Sequence, residues 1–307
     1  MKFIKDFLNS GTAKQQKRKR LGALLISITA ALLVVALLVL AGVGIVKAIK
    51  NRGVEEEAPQ DTNQIPNGYV TTTFPADYMA NGTLLLIDAS HPYRGNAACV
   101  SNVLTVTRPV DSNNESVYSW FSDLLNNNVT EETLTKFNEM MAAFYAETQN
   151  TRLYLTKAQY GTFLTLKYIP EGGTRDNLLS IYDSEGKAPV AAYEWLYENA
   201  AKYGFIQAST AEGEENIFRY VGVVHATYME TKNLSFADYI AKLHKETGAG
   251  KTLKYTCTAD GIKYEIYYIA PTDPHLVPEK GHYTVSGDNG GGYIVTVNKT
   301  AQSAKNS

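Results

Sequence analysis

The chain has 307 residues, 44% of them apolar and 20% charged, an ordinary globular composition that excludes a disordered, collagenous or disulfide-framework protein. Its formal net charge of −2 hides an asymmetry, because Lys2, Lys5, Lys14, Lys17, Arg18, Lys19 and Arg20 precede residue 21 against one acid, Asp6. With these and Lys47, Lys50 and Arg52 set aside, 19 basic residues face 30 acidic ones from Gly53 onward, so the bulk of the chain lacks the basic footprint of a nucleic-acid-binding protein.

Residues 1–20 read as a basic cytoplasmic segment. From Leu21 to Val46 no residue is charged, and this run is longer than the roughly 20 apolar residues that cross a bilayer as a helix. It also exceeds the apolar region of a cleaved signal peptide, about 7–15 residues, so 21–46 reads as a retained transmembrane helix. The basic excess before it puts the N-terminus in the cytoplasm and the remainder outside. Residues 47–68, polar and acidic with Pro59 and Pro66, have the composition of a solvated linker.

Leu84–Ile87, ending at Asp88 before His91 and Pro92, predicts a short buried strand entering a turn. Thr130 ahead of Glu131 and Glu132 predicts a helix start, with Leu134, Phe137, Met140, Met141 and Phe144 on one buried face. A second helix is expected from near Pro189, carrying Tyr193, Trp195, Leu196, Ala200 and Tyr203 to a stop at Gly204, with a strand at Phe205 and Ile206. A third runs from Ser235, its N-cap, to His244, with Phe236, Tyr239, Ile240 and Leu243 apolar. From Lys251 the pattern changes to period two, with Ile262, Tyr264, Ile266 and Tyr268 on one face. Tyr283–Val285 and Tyr293–Val297 flank a glycine-rich turn at Gly287–Gly292. Cys99 and Cys257 have no Cys-x-x-Cys or Cys/His companions; they form either one extracytoplasmic disulfide or two buried thiols.

Four stretches, LLLIDASHP at Leu84–Pro92, YEWLYENAAKYGFI at Tyr193–Ile206, EENIFRYVG at Glu214–Gly222 and LSFADYI at Leu234–Ile240, together resemble the VanY-type zinc D-alanyl-D-alanine carboxypeptidases of bacterial cell-wall metabolism. The family's first metal motif, Ser-x-His-x-x-Gly-x-x-x-Asp, is matched by TRDNLLSIYD at Thr174–Asp183. The resemblance makes Asp183 the aspartate ligand and puts Asp176 at the histidine position. It makes Glu214 the general base that activates a metal-bound water. Three residues on, Ile217 occupies the position of the last histidine ligand. Leu153–Tyr160 matches the family's Ser-Gly-Tyr-Arg-Ser, with Gln159 in place of the arginine that steadies substrate. Arg219 and Tyr220 complete the candidate substrate-binding residues.

A catalytic zinc takes three protein ligands and one open position. Asp176 and Asp183 can donate oxygen, but Ile217 has no lone pair, so a third ligand must come from elsewhere, for example His225. One ligand lost from four costs on the order of 3 kcal/mol, about a hundredfold in affinity. Bland roles compete: Asp176 and Asp183 as turn residues, Glu214 as a solvated charge, Arg219 and Tyr220 as supports of the fold.

The expected architecture is α+β. One transmembrane helix leads into a D,D-carboxypeptidase-like domain at 69–246, an antiparallel sheet with helices; a small β-rich appendage at 247–300 and a tail at 301–307 follow. The expected function is a membrane-anchored, extracytoplasmic D-alanyl-D-alanine carboxypeptidase-like protein acting on or binding the peptidoglycan stem peptide, with zinc implied by the resemblance and an impaired peptidase site. The alternatives are an active metallo-carboxypeptidase with a relocated third ligand, and a structural module that binds an envelope protein.

Overall fold

A computed structural model of the chain describes residues 65–99, 128–168, 191–208 and 216–300. The basic segment, the apolar run 21–46, most of the linker, Asp176, Asp183 and Glu214 lie outside these residues. Among the described residues no helix is long and apolar enough to cross a membrane.

Helix α1 (Glu131–Thr148) begins at Thr130, whose hydroxyl accepts from the Thr133 amide, and buries Leu134, Phe137, Met140, Met141 and Phe144. The cap satisfies one of the amides that a helix start leaves without a partner. Strands β1 (Tyr69–Thr71), β2 (Leu153–Gln159) and β3 (Phe163–Tyr168) precede helix α2 (Ala191–Asn199). After α2 a turn of 3-10 helix ends at Gly204, whose φ of 87° places it in the left-handed region. A side chain there would meet the Tyr220 ring at 2.6 Å, so glycine is required twice over, by the backbone angle and by the close approach.

Strands β4 (Phe205–Gln207) and β5 (Ile217–Tyr220) complete an antiparallel sheet of order β2-β3-β5-β4. One face of it packs against α1 and α2 through Leu153, Leu155, Ala158, Leu164, Leu166, Phe205, Phe218 and Tyr220. A register shift between Leu155 and Lys157 leaves Thr156 as an extra residue. The bulge lets both Leu155 and Ala158 face the core although they are three residues apart.

Helix α3 (Val223–Lys232) and helix α4 (Phe236–Glu246) follow. The Ser235 hydroxyl accepts from the Asp238 amide at 3.1 Å and so caps α4. Beyond them lie β6 (Leu253–Thr256), β7 (Lys263–Ile269), β8 (Leu276–Pro278), β9 (His282–Gly287) and β10 (Tyr293–Asn298). Four of these form a second antiparallel sheet, β6-β7-β10-β9, while β8 pairs with β1. Ile266 and Ile294 of that sheet share one core with Val224, Ala226 and Met229 of α3 and Tyr239, Ile240 and Leu243 of α4. The opposite face, with Tyr267, Val295 and Val297, covers Phe74 and Val277.

Leu84 and Leu85 are buried as expected, but Leu84–Ile87 is not a strand of any sheet. Its backbone is satisfied by side chains and by a loop instead. The Leu84 amide donates to the Ser286 hydroxyl at 3.0 Å, the Leu86 amide to the Asp288 carbonyl at 2.9 Å, and the carbonyls of Thr83 and Leu85 accept from Arg219. Neither cysteine is paired: Cys99 is exposed, and Cys257 is buried with its sulfur 3.4 Å from the Thr227 hydroxyl.

Candidate active site

Residues on β5 alternate between the faces of its sheet. Phe218 and Tyr220 enter the core under α1 and α2, while Ile217 and Arg219 point the other way. Across the ladder Arg219 stands opposite Phe163 on one side and Ile206 on the other, and Phe163 stands opposite Gln159. Gln159, Phe163, Arg219 and Ile206 therefore form one row over all four strands. Lys157, Thr165 and Ile217 form the next row. Of the candidate substrate-binding residues, this geometry puts Gln159 and Arg219 on one face and Tyr220 on the other.

Arg219 is 3% exposed. Its guanidinium lies 4.0 Å from the ring centroid of Phe236 and 4.9 Å from that of Phe163. One terminal nitrogen donates to the Thr83 carbonyl at 3.0 Å and to the Leu85 carbonyl, and Nε has no partner among the described residues. Burial pulls its pKa down to about 9, so it stays charged at neutral pH. Two aromatic faces and two carbonyls replace the water this cation has lost. Tyr220 is occupied as well, since its hydroxyl donates to Glu132 Oε1 at 2.8 Å; burial, and next the nearby Glu132 charge, raise its pKa.

Ile217, at the position of the family's last histidine ligand, is half-buried and stands opposite Thr165. Its carbonyl accepts from the Ala208 amide at 2.7 Å, and its side chain is hydrocarbon. This position therefore does not fit a zinc site. His225, the residue considered as a substitute, is fully engaged in the second core. Its Nδ1 lies 2.8 Å from the Tyr239 hydroxyl and its Nε2 3.0 Å from the Thr296 hydroxyl. Burial lowers its pKa to about 3, so the ring is neutral, with one nitrogen donating and the other accepting. A metal could take it only by breaking a buried hydrogen bond. Asp176, Asp183 and Glu214 lie outside the described residues.

Two features escape a reading of the sequence. Gln159 ends β2 beside Tyr160, whose φ of 55° is left-handed, and the two line a cleft of about 340 Å³ with Tyr93, Asn96 and Asn128. Tyr160–Gly161 between two alternating runs was the available turn signal. Asp288, inside the glycine-rich turn, is buried: its Oδ1 accepts from the amides of Gly290 and Gly292, and its Oδ2 lies 3.0 Å from His244 Nε2. Aspartate two residues ahead of a glycine amide is the usual pattern for such a side-chain turn.

Comparison with known proteins identifies the relationship. A D-alanyl-D-alanine carboxypeptidase of Enterococcus faecium is 28% identical over 251 residues, covering 73% of this chain and 78% of the relative. In sequence the chain is similar to a D-alanyl-D-alanine carboxypeptidase. No family model matches it. Among solved structures, the vancomycin-resistance D,D-dipeptidase VanXYg, bound to a D-Ala-D-Ala phosphinate analogue, overlaps with a TM-score of 0.49 at 18% identity, over 75% of this chain and 99% of that one. The LD-carboxypeptidase LdcB overlaps with a TM-score of 0.32 at 16% identity, over 41% of this chain and 74% of the other. In this chain, β5 brings Ile217 where the resemblance expects histidine.

Proposed function

We propose that this chain is a membrane-anchored, extracytoplasmic D-alanyl-D-alanine carboxypeptidase-like protein whose peptidase site is degenerate and which binds the D-alanine-terminated stem peptide of peptidoglycan. The 28% identical carboxypeptidase supports the substrate class. The apolar run Leu21–Val46 behind a basic segment supports the anchor and the orientation.

The observation that carries the degeneracy is Ile217, held in the β5 ladder opposite Thr165 with no lone pair to give a metal. Zinc affinity falls by about a hundredfold for one lost ligand. Gln159 is polar but uncharged, so it can hydrogen-bond a terminal carboxylate without an arginine's charge or paired donors.

The test uses the full chain, purified without a histidine tag and incubated with micromolar zinc. The expected result is zinc well below stoichiometric, no release of D-alanine from a D-alanine-terminated tripeptide, and tripeptide binding that survives Glu214→Gln. Stoichiometric zinc together with D-alanine release that Glu214→Gln abolishes would reverse the proposal and make the chain a working metallopeptidase.

A further inference from the structure

The cleft beside Gln159 has a chemistry that a peptide site does not need. Its lining is Tyr93, Gly95, Asn96, Ala97, Cys99, Asn128, Gln159, Tyr160 and Gly161, with no charged side chain among them. A stem peptide carries carboxylates and an amino group, and no charged side chain of the cleft pairs with either.

What the cleft does offer is ring faces and carboxamides. The Tyr93 and Tyr160 rings lie 4.9 Å apart, tilted by 42°, and Tyr160 meets Phe163 edge-on at 5.7 Å. Asn96 uses its Oδ1 to accept from Asn81 at 2.8 Å, which leaves its own amide donors unused. The side chains of Asn128 and Gln159 make no hydrogen bond among the described residues. Gln159 is half-buried and Asn96 and Asn128 are exposed, so the donors and acceptors of these carboxamides are open to a molecule in the cleft.

Tyr160 adds an independent observation. A left-handed φ of 55° is unfavourable for a bulky side chain, and glycine or asparagine would make the same turn at lower cost. Its ring is 40% exposed and so contributes little to the core. Backbone strain retained for an exposed aromatic points to a ligand-facing role.

Flat apolar ring faces beside uncharged amides complement a pyranose, whose axial C–H groups stack on an aromatic face while hydroxyl and acetamido groups hydrogen-bond at its edge. We propose that the Tyr93–Tyr160 cleft is a subsite for a neutral pyranose bearing an acetamido group. This deepens the wall-directed reading and rests on it for the ligand's source, because a wall polymer presents peptide and amino sugar together.

The test titrates the full chain in detergent micelles, by calorimetry, with triacetylchitotriose, with cellotriose as the sugar lacking acetamido groups, and separately with the D-alanine-terminated tripeptide. Triacetylchitotriose is expected to bind more tightly than cellotriose, and Tyr160→Gly to weaken it by about fivefold or more. The same variant should melt no lower than the parent, since glycine relieves the left-handed backbone. Gln159→Ala, on an unstrained strand end, supplies a second loss of sugar affinity without a backbone change. No binding of triacetylchitotriose at millimolar concentration, or equal binding by parent and Tyr160→Gly, overturns the inference. So does a Tyr160→Gly effect confined to the tripeptide, which would make the cleft a peptide site. Sugar binding that depends on Tyr160 while the tripeptide fails to bind upholds the subsite and removes the stem-peptide reading instead.

Discussion

Arg219 and Leu85 are 134 residues apart in sequence and joined by a hydrogen bond from a buried guanidinium to a main-chain carbonyl. With the companion bond to Thr83 at 3.0 Å, one side chain holds the extended segment 83–86 against the face of the sheet. No ladder is formed there, and the segment's order depends on Arg219 and Ser286.

Removing that side chain tests whether it serves the fold. Arg219→Met retains a similar apolar volume between Phe163 and Phe236 but leaves the two carbonyls without a donor. Each buried unsatisfied group costs about 1–3 kcal/mol, while the loss of a desolvated cation offsets part of it. A net loss of about 2 kcal/mol in urea unfolding is expected. Arg219→Lys should be no milder, because a compact, strongly hydrated ammonium cannot lie flat between two rings as the guanidinium does. Full stability in either variant with loss of peptide binding would instead assign Arg219 to the ligand.

The elements with local signals were legible in the sequence. Thr130 and Ser235 cap their helices through the expected amides, and Gly204 ends the second helix because only glycine fits beside the Tyr220 ring. Leu84–Ile87 was misread as a strand, since four apolar residues specify burial but not which groups will satisfy their backbone. Its partners, Arg219, Ser286 and the Asp288 carbonyl, are more than 130 residues away. At the site, it is the resemblance of EENIFRYVG to the family's segment that places Ile217 at the histidine position. The engagement of both His225 nitrogens was not legible, because it depends on the meeting of α3, α4 and β10.

That meeting makes stability depend on pH. His225 is neutral in the folded core, with its pKa lowered to about 3, while in the unfolded chain it titrates near 6.5. Between these values the unfolded state binds more protons, so stability rises with pH across the interval. The contribution is complete above about pH 6.5 and is lost as pH falls toward 3; its size is on the order of a few kcal/mol. His225→Gln, which keeps a donor and an acceptor for Tyr239 and Thr296, should flatten the difference between urea midpoints at pH 7 and pH 5. An unchanged difference would place the titration elsewhere.

Asp288 links three pieces of chain: the turn after β9, the end of α4 through His244, and segment 84–86 through its carbonyl. Although burial alone would raise it, hydrogen bonds from His244, Gly290 and Gly292 hold its pKa below the usual aspartate value. A lowered carboxylate stabilises above the unfolded value, near 3.9, and that contribution disappears as pH falls through the folded one. Asp288→Ala removes the acceptor from the buried Gly292 amide and from the more exposed Gly290 amide and is expected to cost about 1–3 kcal/mol. Amide exchange should quicken first at Gly290 and Gly292. Unchanged protection at those two amides would mean that the turn holds its shape without the carboxylate.

The sharpest test of degeneracy restores what β5 lacks. Ile217 is half-buried on the open face of its sheet, opposite Thr165, so an imidazole can be accommodated without opening the core under α1 and α2. If Asp176 and Asp183 still converge there, as the resemblance implies, Ile217→His supplies the third ligand of a site that has two. Zinc affinity should rise by about a hundredfold, the inverse of one ligand lost. Competition with a chromophoric chelator at pH 7.5 measures this directly, and imidazole must be neutral to bind, so the gain should fade below about pH 6.5. Combining Ile217→His with Asp183→Ala should cancel the gain. A gain that persists in the double variant would locate the metal on other residues, and no gain in the single variant would mean that the aspartates do not converge at β5.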